Sequence, residues 1–303
     1  MSNLLLYVIT VVIWGSTWLA IEFQLGVIAP EVSIVYRYST AAVLLFLWCH
    51  LRGLSLRFDL RAHGWFVLLG LTLFCLNYIL TYRAQIHITS ALSAIVFSSL
   101  VWMNILLAKF FFGVKAGRSV QGGAVLGICG IVVLFAPQIG ELSFSDSILF
   151  GSVLSGTGAL VASFGNMVSQ KAQSLKLPVV QSNAWGMFYG AMLTAIYTVS
   201  QGHAFAFDLS PGYVISLAYL SVFGSIIAFG AYLTLLGRIG AHKAGYAMVM
   251  FPVVALLLSM LFEGLRIDAS IVVGTFLVLA GNIAVLKGAP RKKPLQPVVA
   301  PAE

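Results

Sequence analysis

Ten stretches of about 17 to 23 mostly apolar residues, separated by short loops, leave this chain few folds to choose from. A bilayer core of about 30 Å takes roughly 20 helical residues, and only structures that pair their backbone N–H and C=O groups internally persist there. The stretches run 4–21, 32–49, 64–82, 89–111, 120–136, 148–169, 180–199, 213–235, 244–262 and 269–286, and Gly117, Pro137, Pro178 and Pro211 mark several of the breaks. The connections are too short to hold a soluble domain. The expected fold class is therefore an all-α membrane protein with ten transmembrane helices. A mean hydropathy of +1.00 agrees, as does a charged fraction of 9%, where soluble domains carry about a quarter.

A net charge of +8 would point to nucleic acid in a soluble chain, but in a membrane chain the positions of the charges matter more than their sum. With both termini cytoplasmic, 14 of the 17 basic residues fall on the inner side, among them Arg52, Arg57, Arg61, Lys109, Lys115, Lys171, Arg238 and Arg291 to Lys293. The outer side then holds Arg83 and Arg266 and collects Glu22, Glu31, Glu141, Asp146, Asp208, Glu263 and Asp268, while Arg37 is left inside a span. The start, MSNLLLYVITVV, lacks a basic leader and reads as a retained span. Cys49, Cys75 and Cys129 sit in apolar runs without metal-ligand spacing, so neither a disulfide framework nor a metal is expected. Residues 288–303 form a basic, Pro-rich tail expected to be disordered in the cytoplasm.

One stretch occurs twice. Phe110 to Leu134 reads FFFGVKAGRSVQGGAVLGICGIVVL, and 151 residues on, Leu261 to Val285 reads LFEGLRIDASIVVGTFLVLAGNIAV. Gly113, Gly123 and Gly130 fall on Gly264, Gly274 and Gly281, and Ser119 and Leu126 fall on Ser270 and Leu277. A fixed offset signals an internal repeat. It carries the fifth span onto the tenth, so each unit has five helices. Five is odd, so the units 1–137 and 138–287 must face opposite ways across the membrane, an inverted repeat of the kind that places a transported solute near the midplane.

Several short motifs then fall in order. Trp14-Gly15-Ser16-Thr17 opens the first half, Arg37-Tyr38 with Ala41 lies in the second span, and Phe251-Pro252-Val253, Leu261-Phe262-Glu263-Gly264, Gly274 and Gly281 close the chain. Together, over residues 4 to 287, they resemble the drug/metabolite transporter superfamily and its EamA-type members of ten helices in two repeats. The resemblance implies a cell (inner) membrane exporter whose fifth and tenth spans stand away from the cavity. Val101 and Phe112 depart from the pattern where the first repeat would carry Pro and Glu, and Ala162 stands near the usual sixth-span Trp. The pocket is therefore expected to be asymmetric. The aromatic and Met-rich interior looks most like exporters of aromatic amino acids.

Polar and aromatic side chains within the spans are the candidate site residues, because burying them in lipid costs free energy unless something contacts them. Phe74, Tyr78 and Tyr82 recur at four with Asn77 beside them, and Ala94, Ser98 and Trp102 recur at four in the next span. Each stripe serves either a solute or helix packing. Trp14 lies deep in the first span, whereas Trp18 lies nearer its outer end and reads as an interfacial belt residue. Trp185 is divided between belt and cavity. Phe229 with Tyr232 and Tyr246 with Met250 share faces in the second half, and Ser163 with Asn166 offers hydrogen bonds on a sixth span otherwise suited to close packing. Arg37 lies six residues, about 9 Å, from Glu31, so it either snorkels outward or pairs with Glu22; a structural ion pair is the first reading and a contact with a substrate carboxylate the second.

No Asp or Glu lies near the middle of any span, and the five His residues lie near ends or loops. Facilitated, gradient-driven export is expected by alternating access, with Glu22, Glu31 and Glu263 as edge-located exceptions to that rule. The expected solute is small and amphipathic, an amino acid with an aromatic or bulky side chain. A proton-coupled exporter of drugs or hydrophobic metabolites is the alternative, and a membrane-embedded enzyme would need a catalytic constellation that the spans do not carry. The expected partners are that solute and the bilayer, not nucleic acid; no cofactor is expected, and the expected state is a monomer. A fusion reporter placed after Gly288 should be active only on the cytoplasmic side, and activity only on the outer side would overturn this topology.

Overall fold

The computed structural model describes residues 1–113, 118–134, 146–239, 244, 246–264 and 267–288. Ten helical spans occupy them: α1 (Asn3–Glu22), α2 (Pro30–Leu51), α3 (Leu60–Gln85), α4 (Ser90–Phe112), α5 (Arg118–Leu134), α6 (Asp146–Ser174), α7 (Val179–Ser200), α8 (Pro211–Arg238), α9 (Tyr246–Phe262) and α10 (Ala269–Gly288). Among the described residues, α1, α2, α3, α4, α6 and α8 are long and apolar enough to cross a bilayer unaided. The expected boundary at 137/138, Lys115, Arg266 and the tail beyond Gly288 lie outside the described residues.

Local chemistry sets the helix ends. Ser2, Asp59, Thr89 and Ser210 each accept a hydrogen bond from the backbone N–H three residues on, satisfying a donor the first turn leaves open. Pro30 and Pro211 occupy first-turn positions where no N–H is required. Gly113 ends α4 and Gly264 follows α9, both at φ 67°, a left-handed backbone that glycine adopts at no steric cost. They are the turn glycines of the repeated stretch.

Helices α5 and α10 run antiparallel at close range. A methyl group built at Gly281 would fall 2.6 Å from Gly123 O and 2.6 Å from Gly127 N, and one at Gly130 would fall 2.7 Å from Val278 N and 2.8 Å from Gly274 O. The contacts pair Gly123 with Gly281 and Gly130 with Gly274, exchanging repeat-equivalent positions, as an axis of approximate two-fold symmetry between the halves requires. Ser119 Oγ, at the start of α5, donates to Ala284 O near the end of α10 at 2.8 Å. The halves are therefore inverted.

The same exchange governs the rest of the bundle. Helix α1 packs on α8 and α9, whereas α6 packs on α3 and α4; α2 packs on α7. Two irregular segments also correspond. Gly70–Leu76 within α3 and Leu220–Ile227 within α8 are both π-helical, with starts 150 residues apart. Neither was foreseen from the apolar periodicity.

Where α5 and α10 touch, an added methylene has no space to enter and overpacking of this kind costs about 1–3 kcal/mol. Gly281→Ala should lower the unfolding midpoint measured by thermal scanning in detergent. Gly122→Ala, where a methyl would meet nothing within 4 Å, should leave it unchanged.

Candidate functional site

A cavity lies among α1, α3, α4, α6, α8 and α9, with about 570 Å³ of empty space when the part open to solvent is included. Its aromatic wall comes from Trp14, Trp18, Tyr78, Phe97, Phe229, Tyr232 and Phe251. Trp14 makes an edge contact with Phe229 at 4.9 Å between centroids and lies 4.9 Å from Tyr232, while Trp18 stacks on Phe251 at 5.8 Å and meets Phe97 edge-on at 5.3 Å. Each ring is wedged by others from a different helix. Trp14 is further held by its indole N–H, which donates to Gly224 O at 3.2 Å.

Polar groups interrupt this wall at two places. On α3, Asn77 and Thr81 face the cavity one turn apart, with Thr81 Oγ1 donating to Asn77 Oδ1 at 3.4 Å. Across from them, Asn166 lines the cavity and donates to Asn104 Oδ1 at 3.2 Å, an oxygen that also accepts from Ser163 Oγ at 2.8 Å. Tyr232 Oη is buried against Asn104, which brings a third polar group to this corner of the cavity.

Trp14, Asn77, Tyr78, Phe229 and Tyr232 are thus brought together from the expected set. Others are directed elsewhere. Tyr82 is fully buried beyond the edge of the cavity face of α3, which runs through Leu73, Asn77 and Thr81, and its hydroxyl accepts from Arg37 Nη1 at 3.3 Å. Ser98 donates to Ile95 O at 2.7 Å and accepts from Asn282 Nδ2 of α10 at 3.2 Å. Trp102 packs on Gly127 of α5. Both follow from a break in α4 at Ser98 and Ser99, which turns Phe97 and Leu100 to the cavity instead. Ser163 spends its hydroxyl on Asn104. Met250, 43% exposed, faces away from the cavity, which Met248 and Phe251 line on either side of it in sequence. Trp185 caps a cluster at the other end of α2, donating to Leu56 O at 3.3 Å beside Phe46 and His63. Tyr246 opens α9, and its side chain lies outside the described residues.

Two expectations are corrected. Trp18 is a buried cavity residue and not a belt residue. Arg37 makes no ion pair: Glu31 is taken by Arg83 at 2.6 Å, and no carboxylate reaches Arg37 among the described residues. Its Nε donates to Ser225 Oγ at 2.9 Å and its Nη2 to Tyr78 Oη at 3.5 Å, and its guanidinium lies 4.5 Å from the centroid of the Tyr78 ring. Thr17, Ile21, Leu73, Thr81, Leu100, Ala162, Met248 and Phe251 complete the lining; the first-span stripe through Trp14, Trp18 and Ile21, at spacings of four and three, was the available signal for part of it.

Comparison with known proteins bears on this arrangement. The model of the EamA-like transporter family matches residues 1–136 and 149–287. The chain is 26% identical over 290 residues to the uncharacterized transporter YoaV of Bacillus subtilis, covering 93% of this chain and 96% of that protein. It is 27% identical over 249 residues to the uncharacterized inner membrane transporter YedA of Escherichia coli K12, covering 82% and 78%. A crystal structure of a protein 17% identical superposes with a TM-score of 0.69 over 93% of this chain and 95% of the other, which shows a shared fold.

The lining makes a discriminating labelling pattern. In a background free of Cys49, Cys75 and Cys129, cysteines placed at Thr81 and Ala162 should react with a small water-soluble thiol reagent and be protected by bound solute. A cysteine at Met250 should react only with a lipid-soluble maleimide; water-phase labelling of that position would put α9 in another orientation.

Proposed function

The chain belongs to the EamA-like transporter family, and from that premise we propose that it carries small amphipathic solutes, amino acids with aromatic or bulky side chains, out of the cytoplasm. The observation that carries this is the composition of the cavity wall. Aromatic rings on five helices offer large, rigid, apolar surface, while Asn77, Thr81, Asn166 and the Tyr232 hydroxyl offer hydrogen bonds to a polar end.

The two inverted halves rock about the cavity, exposing it to each side in turn. Transport is downhill. Among the described residues no carboxylate lines the cavity: Glu31 is engaged by Arg83, Glu22 ends α1, and Glu263 follows α9 with Ser259 Oγ on its carboxylate. The concentration of basic residues at the end of the bundle that holds Met1 and Arg238 makes that end cytoplasmic, where Arg238 Nη1 donates to Met1 O at 2.9 Å.

In proteoliposomes, labelled L-phenylalanine should show counterflow driven by unlabelled L-phenylalanine or L-leucine without an imposed pH gradient. Trp14→Ala should reduce it about tenfold through loss of a ring that contacts two others. Absence of counterflow across a full amino-acid panel would overturn the substrate class, and an absolute requirement for a pH gradient would overturn the downhill mechanism.

A further inference from the structure

Arg37 lies at membrane depth on α2 with 0% of its surface exposed and no carboxylate within ion-pair distance among the described residues. A central arginine costs about 2.5–3.5 kcal/mol to insert, so one that persists pairs with something or does something. Its neighbours are neutral: Ser225 Oγ on Nε, Tyr82 Oη on Nη1, and Tyr78 Oη on Nη2 at the long distance of 3.5 Å. A guanidinium has five N–H donors. Each Nη therefore keeps a second N–H with no acceptor among the described residues.

The group sits directly behind the cavity wall. Tyr78, whose ring lies under the guanidinium, and Thr17 both line the cavity. A methyl built at Gly224 would fall 2.9 Å from Thr17 Cγ2 and 3.2 Å from Arg37 Nη2, so the absence of a side chain there is what lets the charge approach the wall. The repeat shows this to be specific to one half. Helices α2 and α7 correspond 149 residues apart and the π segments 150 apart, which sets Gly186 opposite Arg37 and Phe74 opposite Gly224. In the second half a methyl at Gly186 would lie 3.0 Å from Phe74 Cε2. Both contacts pair a large side chain with a glycine, but only one of them brings a charge.

We propose that Arg37 is the anion-binding group of the cavity and takes the carboxylate of the solute, with Tyr78 as the movable cover between them. The proposal rests on the cavity being the transport site. A carboxylate entering between Tyr78 and Thr17 replaces the weak Tyr78 bond on Nη2 and supplies two acceptor oxygens in the fork geometry that guanidinium matches. Its charge neutralises the buried cation, so affinity for the acid comes from relief of an uncompensated charge as well as from new hydrogen bonds. The apolar part of the solute then lies against the aromatic wall, which sets the polarity of binding: carboxylate toward α2, ring toward Trp14 and Phe229.

Binding to purified full-length protein in detergent tests this separately from transport, using two matched pairs, L-phenylalanine with L-phenylalaninamide and 3-phenylpropanoate with 3-phenylpropanamide. In the wild type each acid should bind on the order of tenfold more tightly than its amide. Arg37→Gln should bring both ratios to about one, and Arg37→Lys should restore part of the preference. Should Arg37→Gln fail to fold, Tyr78→Phe decides: with the competing hydroxyl gone the acid-to-amide ratio rises several-fold, whereas an arginine that only braces the fold leaves it at the wild-type value. Equal binding of acid and amide in the wild type would overturn the role of Arg37 and leave the cavity as the binding site. Binding of neither pair would overturn both.

Discussion

In a bilayer the surrounding lipid is as apolar as the helices, so helices gain little by hiding leucine from it and associate where their backbones can approach. The bundle depends on that constraint at every seam. Gly123, Gly127, Gly130, Gly274 and Gly281 let α5 and α10 touch backbone to backbone, and Gly70 lies against Gly186 and Gly190 between α3 and α7. Phe74 fills the hollow that Gly186 and Gly190 leave. Glycine occupies these seams, and the rings of the cavity wall come from five of the six helices around it. Packing and site are two results of one distribution of side-chain size.

The cavity is symmetric in its scaffold and asymmetric in its chemistry. Helices α1 and α6 occupy equivalent places, yet α1 presents Trp14 and Trp18 where α6 presents Ala162 and Asn166. One side of the cavity is therefore walled by rings and the other by small and polar groups. The two sides therefore offer different contacts, which an inverted repeat with identical halves would not.

Much of this was legible in the chain. Apolar run length placed all ten spans with ends mostly within a few residues of those observed, because a bilayer imposes the length that a soluble core leaves free. Polar or aromatic candidates were legible on all six cavity helices, and Trp14, Asn77, Tyr78, Phe229 and Tyr232 among them line the cavity. The failures have local causes. The break at Ser98 and Ser99 changes which residue of α4 faces inward, so Ser98 and Trp102 turn off the cavity, while Tyr82, one regular turn past Tyr78, lies beyond the edge of a cavity face that runs through Leu73, Asn77 and Thr81. Arg37 was recognisable as an intramembrane charge, but its partners come from α3 and α8, and no spacing within α2 reports them.

The two π segments bear on what the repeat preserves. They begin at corresponding places in the two halves, yet their side chains read GLTLFCL in one and LSVFGSII in the other. A deviation that survives near-complete replacement of its side chains is a property of the backbone path, since the extra residue of a π-turn is removed only by a deletion that rotates everything beyond it. Its presence in both halves ties it to the path of the helix and not to the arginine, which only one half carries.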